Sequence, residues 1–200
     1  MEFLRKYWYV TSFVVGALSG GVSYISFLWD GSRGFGLNND FVPYSPGLLF
    51  GLASCLFFSL LLKRKILSLK KLLWVLFSTL SFSASYVFIS QNMFDQVPKT
   101  IMLASMGFIG GLIILFAFNF FITRLILLEC LILIIITTLI PEFLAFLDED
   151  LIVLTFFPWQ AAVMVVFAHA INRSNQSFVE NEVNRIQGVQ EQISTPSQAV

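Results

Sequence analysis

"RLILLECLILIIITTLIPE", residues 124–142, is an almost unbroken aliphatic run that carries one carboxylate, Glu129, inside it. A helix on the surface of a soluble domain needs a polar face, and this stretch has none, so it belongs where its surroundings are apolar on every side. The rest of the chain is built the same way. Of 200 residues 57% are hydrophobic and only 12% charged, against about a quarter charged in soluble domains. The excess is gathered in blocks, the mark of a membrane protein rather than of an enlarged soluble core.

Six such blocks predict six transmembrane helices, at about 7–29, 46–62, 72–90, 100–118, 123–140 and 151–171. Each is long enough to cross the ~30 Å hydrocarbon layer at 1.5 Å per residue. Helix is required because lipid offers the backbone no hydrogen-bond partner. The first block is expected to remain as a span rather than be cleaved as a leader, because its apolar character continues to Trp29. The expected fold is therefore an all-α bundle of six spans, residues 1–171, followed by a polar tail at 172–200.

The basic residues orient the bundle. With the N-terminus inside, the inner side holds Arg5, Lys6, Lys63, Arg64, Lys65, Lys70, Lys71, Arg124, Arg173 and Arg185, and the outer side only Arg33 and Lys99. Both termini are then cytoplasmic, and a bacterial inner or plasma membrane is the expected location. Tyr7, Trp8, Tyr9 and Trp74 fall at the inner interface and Trp29 and Tyr44 at the outer one, as aromatic belts do. The outer loop at 30–45 suits either an ordered cap or a hydrated connector. In the tail, Val179, Val183, Ile186 and Ile193 recur on one helical stripe, which predicts a short amphipathic helix able to meet a partner, the membrane surface or another copy. The last seven residues, "STPSQAV", read as disordered.

Small residues let helices approach closely in lipid. Three GxxxG pairs are present: Gly16/Gly20, Gly47/Gly51 and Gly107/Gly111. Ordinary packing inside the bundle is their expected use, a dimer face the alternative. Ser78, Ser81 and Ser85 lie at helical spacing and predict hydrogen bonds between helices. The fifth span has almost no small residues, so spans one to four are expected to pack tightly and span five to face lipid.

Chemistry is sparsely signalled. Cys55 and Cys130 fall in separate apolar blocks and read as buried free thiols, and with a single histidine they give no metal-ligand spacing. Asp148–Asp150 read as a solvated acidic cap. Zero net charge encourages no nucleic-acid partner. A serine hydrolase pairing of Ser105 with His169 requires atoms within ~3 Å, yet the spans place them roughly 20 Å apart in depth. No enzyme activity and no cofactor are expected.

Glu129 is the exception, because an ionisable group inside the bilayer is a functional candidate by default. Desolvation favours the neutral, hydrogen-bond-donating form of such a group. Folding the antiparallel hairpin of spans five and six puts Glu129 near the depth of Gln160, next to Trp159, and predicts a polar knot of these three. His169, near the inner end of span six, is a candidate pH-responsive group. The first functional expectation is movement of a small solute or ion, with Glu129 as the proton- or ligand-responsive residue, alone or as one subunit. The alternative is a non-catalytic assembly protein that binds other membrane proteins, or another copy, through its glycine faces and tail.

Overall fold

The computed structural model describes residues 6–30, 45–62, 68–93, 98–147 and 156–194. Every element among them is a helix: α1 (Trp8–Asp30), α2 (Ser45–Leu62), α3 (Leu69–Met93), α4 (Lys99–Phe121), α5 (Leu127–Leu147) and α6 (Phe156–Ser194). Residues 31–44 of the outer loop, Lys63–Lys65, Asp148–Asp150, the start of the sixth block at 151–155 and the last six residues lie outside that set. Each helix packs on its neighbours in sequence, and α6 closes the ring against α1, while also touching α2.

Four helices are long and apolar enough to cross a membrane, at Trp8–Ser26, Ser45–Leu62, Ile101–Phe121 and Leu127–Leu144. The other two are more polar. α3 carries Ser78, Ser81, Ser83 and Ser85, and α6 runs into the polar tail without a break. The tail is thus not a separate short helix. α6 has 39 residues, which at 1.5 Å each is about 58 Å.

The glycine pairs are packing faces within the chain. A Cβ at Gly16 would meet the Gln160 carbonyl oxygen at 2.5 Å, and one at Gly20 would strike the Phe156 carbonyl, so α1 lies backbone to backbone on α6. Gly47 and Gly51 admit α3 in the same way, against Ser78, Thr79 and Val75. Gly107 and Gly111 receive Thr137 of α5. That last contact has a sequence cause. Pro141 stands inside α5 and has no N–H to give the carbonyl four residues back, which is Thr137. The freed Thr137 oxygen is turned onto Gly107, where no side chain is in its way.

The tight packing expected for spans one to four therefore extends to α5, which borrows the small residues of α4. The outward character expected of α5 holds nonetheless. Only 17% of its apolar window is buried, against 56% for α2.

The core is aromatic and lies toward the end of the bundle where α3 and α5 begin. Phe50, Phe58, Trp74, Phe118 and Phe167 are all buried. Phe118 and Phe167 stack at 3.9 Å between ring centroids, and Trp74 meets both edge-on at 5.8 and 5.5 Å. Trp74 is 0% exposed, which corrects its expected place in an interfacial belt. Its indole Nε1 donates to Ser54 Oγ at 2.8 Å, so a hydroxyl inside the bundle supplies the partner that water would give at an interface. Trp8 is buried too, whereas Tyr7 and Tyr9 stay exposed. Of the serine stripe, Ser81 Oγ donates across to the Gly110 carbonyl of α4 at 3.0 Å, while Ser85 bonds back within α3. Neither cysteine is in a disulfide; Cys55 is buried and Cys130 partly so.

Candidate functional site

The site begins with where α5 starts. The sequence places the fifth span from residue 123, which would leave Glu129 well inside it. The structure starts the helix at Leu127, so Glu129 stands in its first turn. The intervening residues are used to reverse the chain. The N–H groups of Ile122 and Thr123 both donate to the Phe118 carbonyl and close α4. Asn119 then pins the turn from inside: its Nδ2 donates to the Leu115 carbonyl at 2.9 Å, and its Oδ1 accepts from the Leu125 N–H at 2.7 Å.

At the first turn of a helix a carboxylate has two roles ready for it. It meets the positive end of the helix dipole, and it can cap a free backbone donor. Glu129 Oε2 accepts from the Ile126 N–H at 2.9 Å, the returning half of a capping box.

Two side chains of α6 complete the shell. His169 and Arg173 are four residues apart and so share one helix face. His169 Nδ1 donates to Glu129 Oε1 at 2.9 Å. Arg173 Nε donates to Oε1 at 3.0 Å and its Nη2 to Oε2 at 2.9 Å, a two-pronged guanidinium–carboxylate pair. The same Nη2 donates to the Arg124 carbonyl at 3.0 Å, tying the turn to the pair. The Glu129 side chain is 4% exposed, Arg173 35% and His169 45%. Trp8 of α1 lies against the His169 ring, 5.9 Å between centroids.

The expected three-residue knot is not what forms. Glu129 accepts four hydrogen bonds and faces a permanent cation, so it acts as a carboxylate, not as the proton-donating carboxyl group that an unpaired burial would favour. Gln160 lies nine residues earlier on α6, about 13 Å along the axis. It is 0% exposed, and its Nε2 donates to Ser23 Oγ of α1 at 3.0 Å. Ser23 in turn donates to the Pro46 carbonyl of α2 at 3.3 Å. Gln160 is thus a joint between α1, α2 and α6, and its Oε1 has no partner among the described residues. Trp159 packs on Phe50, 5.7 Å between centroids, and does not reach Glu129. Ser105 bonds to the Ile101 carbonyl of its own helix, apart from His169.

A buried cation stands at the start of α3. Lys71, in the first turn of α3, is 6% exposed and its Nζ donates to Ser59 Oγ of α2 at 2.6 Å. Neither Arg173 nor Lys71 was singled out from the sequence, where both read as loop charges that orient the bundle. The signal available was the spacing of His169 and Arg173 on one face of a helix facing the hairpin that holds Glu129.

Chemically the arrangement is a charge-balanced clamp. No group of three or more metal-binding side chains occurs among the described residues. Beside the clamp, where α6 leaves the bundle, is an open groove of about 390 Å³ lined by Trp8, Leu61, Ile171, Asn172, Asn175, Gln176 and Val179. Comparison with family models, with curated proteins and with solved structures finds no match to this chain.

Proposed function

We propose that the chain is a non-catalytic membrane assembly protein: a six-span bundle, both ends cytoplasmic, that holds α6 upright as a docking post. The observation that carries this is the join between clamp and post. Beyond Arg173, α6 continues for 21 residues to Ser194 with no break. Along it Phe178, Val179, Val183 and Ile186 are all 45% or more exposed. Four large apolar side chains left this exposed on a helix that runs on past the groove at Trp8 and Leu61 need a partner surface. Because the post continues the axis of a helix packed in the bundle, it points away from the bundle end. A docking helix lying flat on the membrane surface would need a bend there.

Solute movement has less support. Its first argument was a carboxylate free to take a proton or ligand, and Glu129 is saturated by Arg173, His169 and Ile126. The unpartnered Oε1 of Gln160 is the feature that speaks for it, a polar atom inside the bundle.

Two measurements on one set of proteins separate the readings. Wild type, Val183→Asp/Ile186→Asp and Glu129→Gln are solubilised mildly and sized, then reconstituted and assayed for ion and small-solute flux. Assembly predicts a wild-type particle larger than the 22.6 kDa chain that falls to a single chain in the aspartate variant, with no flux in any. A single-chain wild type, with flux lost in Glu129→Gln, would establish transport in its place.

A further inference from the structure

We infer that the partner of the α6 post is the α6 post of a second copy, in a short parallel coiled coil. The inference rests on the assembly reading and narrows it to one occupant. Val179, Val183 and Ile186 are spaced four and then three residues apart, and in sequence Gln190 and Ile193 continue with four and three. That is the a/d seam of a coiled coil, with Val179, Ile186 and Ile193 at d and Val183 and Gln190 at a. Val183 and Ile186, 45% and 52% exposed, are open to a partner, and Val179, 59% exposed, lines the groove beside Trp8 and Leu61 where the seam meets the bundle.

Three features favour a like partner. Copies inserted in one bilayer point the same way, which imposes the parallel arrangement. In parallel register the flanking positions pair Asn175 with Glu180 and Glu182 with Gln187, so no like charges meet. A polar residue at an a position favours the register that pairs it with another polar group, and in an in-register copy Gln190 meets Gln190. The seam spans two heptads, short of the three or four that an isolated coiled coil needs. It closes because the membrane concentrates the chains and the clamp holds each post at a fixed angle.

Cysteine cross-linking in native membranes reads the seam directly. Val183→Cys at a and Ile186→Cys at d are oxidised beside Asn184→Cys at b, which lies on the far face. Val179→Cys serves as a second d position. The wild type, with Cys55 and Cys130 in the bundle, sets the background. The expected result is conversion of the a and d variants to disulfide-linked dimers while Asn184→Cys stays monomeric. Equal cross-linking at all positions, or none at any, overturns the inference. If no dimer forms but the wild type still runs as a large particle that the aspartate variant disrupts, the partner is a different protein: self-pairing fails and the assembly reading stands.

Discussion

Replacing Arg173 by alanine removes the cation from a nearly buried carboxylate and breaks the bond from α6 to the Arg124 carbonyl in the α4–α5 turn. Glu129 loses two hydrogen bonds, at 3.0 and 2.9 Å, and the Arg124 carbonyl loses one. Removing one partner of a fully buried ion pair costs about 3–5 kcal/mol. Here the figure is reduced on two grounds. Arg173 is itself 35% exposed, so part of the attraction is screened by solvent. The Ile126 N–H, His169 and the α5 dipole also remain with the stranded carboxylate. A net loss of about 2–3 kcal/mol follows, or roughly 5–10 °C in the melting midpoint of a chain this size. Arg173→Lys keeps the charge but not the fork, and is expected to lose about half as much. The assay is thermal unfolding in mild detergent, run as a double-mutant cycle with Glu129→Ala. The pair should couple by about 1.5 kcal/mol or more, the double mutant being less damaged than the sum of the singles. Additive effects would mean that Glu129 and Arg173 stabilise the fold independently, and would refute the clamp.

Other perturbations test the packing on which the site depends. Gly16→Ala forces a methyl against the Gln160 backbone at 2.5 Å and should cost about 1–3 kcal/mol, whereas Gly21→Ala meets only the ring of Phe157 at 2.8 Å, which can turn aside, and should cost less; their unfolding midpoints compare them. Pro141→Ala raises helix propensity yet returns the Thr137 carbonyl to its own helix, so the α4–α5 contact should weaken and the midpoint fall despite the better helix former. Trp74→Ala removes the centre of the aromatic cluster and should cost about 3–5 kcal/mol, whereas Trp74→Phe, which loses mainly the bond to Ser54, should cost about 1 kcal/mol.

Much of the architecture was legible because it rests on local pattern. The helical blocks follow from apolar length, and the three glycine pairs mark faces where backbones meet. The site was legible only in part. That a carboxylate among aliphatic residues must find a partner follows from desolvation alone, and it pointed to α6. The depth was misjudged because residues 123–126 look as apolar as the helix they precede. Asn119 turns them into a capped reversal instead, which moves Glu129 from the interior of a span to its first turn. The same shift brings it level with His169 and Arg173 rather than Gln160. Trp74 was misplaced for a related reason. A tryptophan beside a basic loop resembles an interface anchor until Ser54, 20 residues earlier, is seen to supply its hydrogen bond.

The tie between Glu129 and a rigid, projecting α6 is tested most directly by a distance. Spin labels at Leu128→Cys, in the exposed first turn of α5, and Arg185→Cys, on the post, are introduced after Cys55 and Cys130 are replaced by serine. Pulsed electron–electron double resonance in bilayers, with the labelled chain diluted in an excess of unlabelled chain so that only distances within one copy are read, should give one narrow distance in this protein and a broad distribution once Arg173→Ala is added. A distribution equally broad with and without Arg173 would show that the clamp does not hold the post, and that the proposed assembly surface has no fixed base.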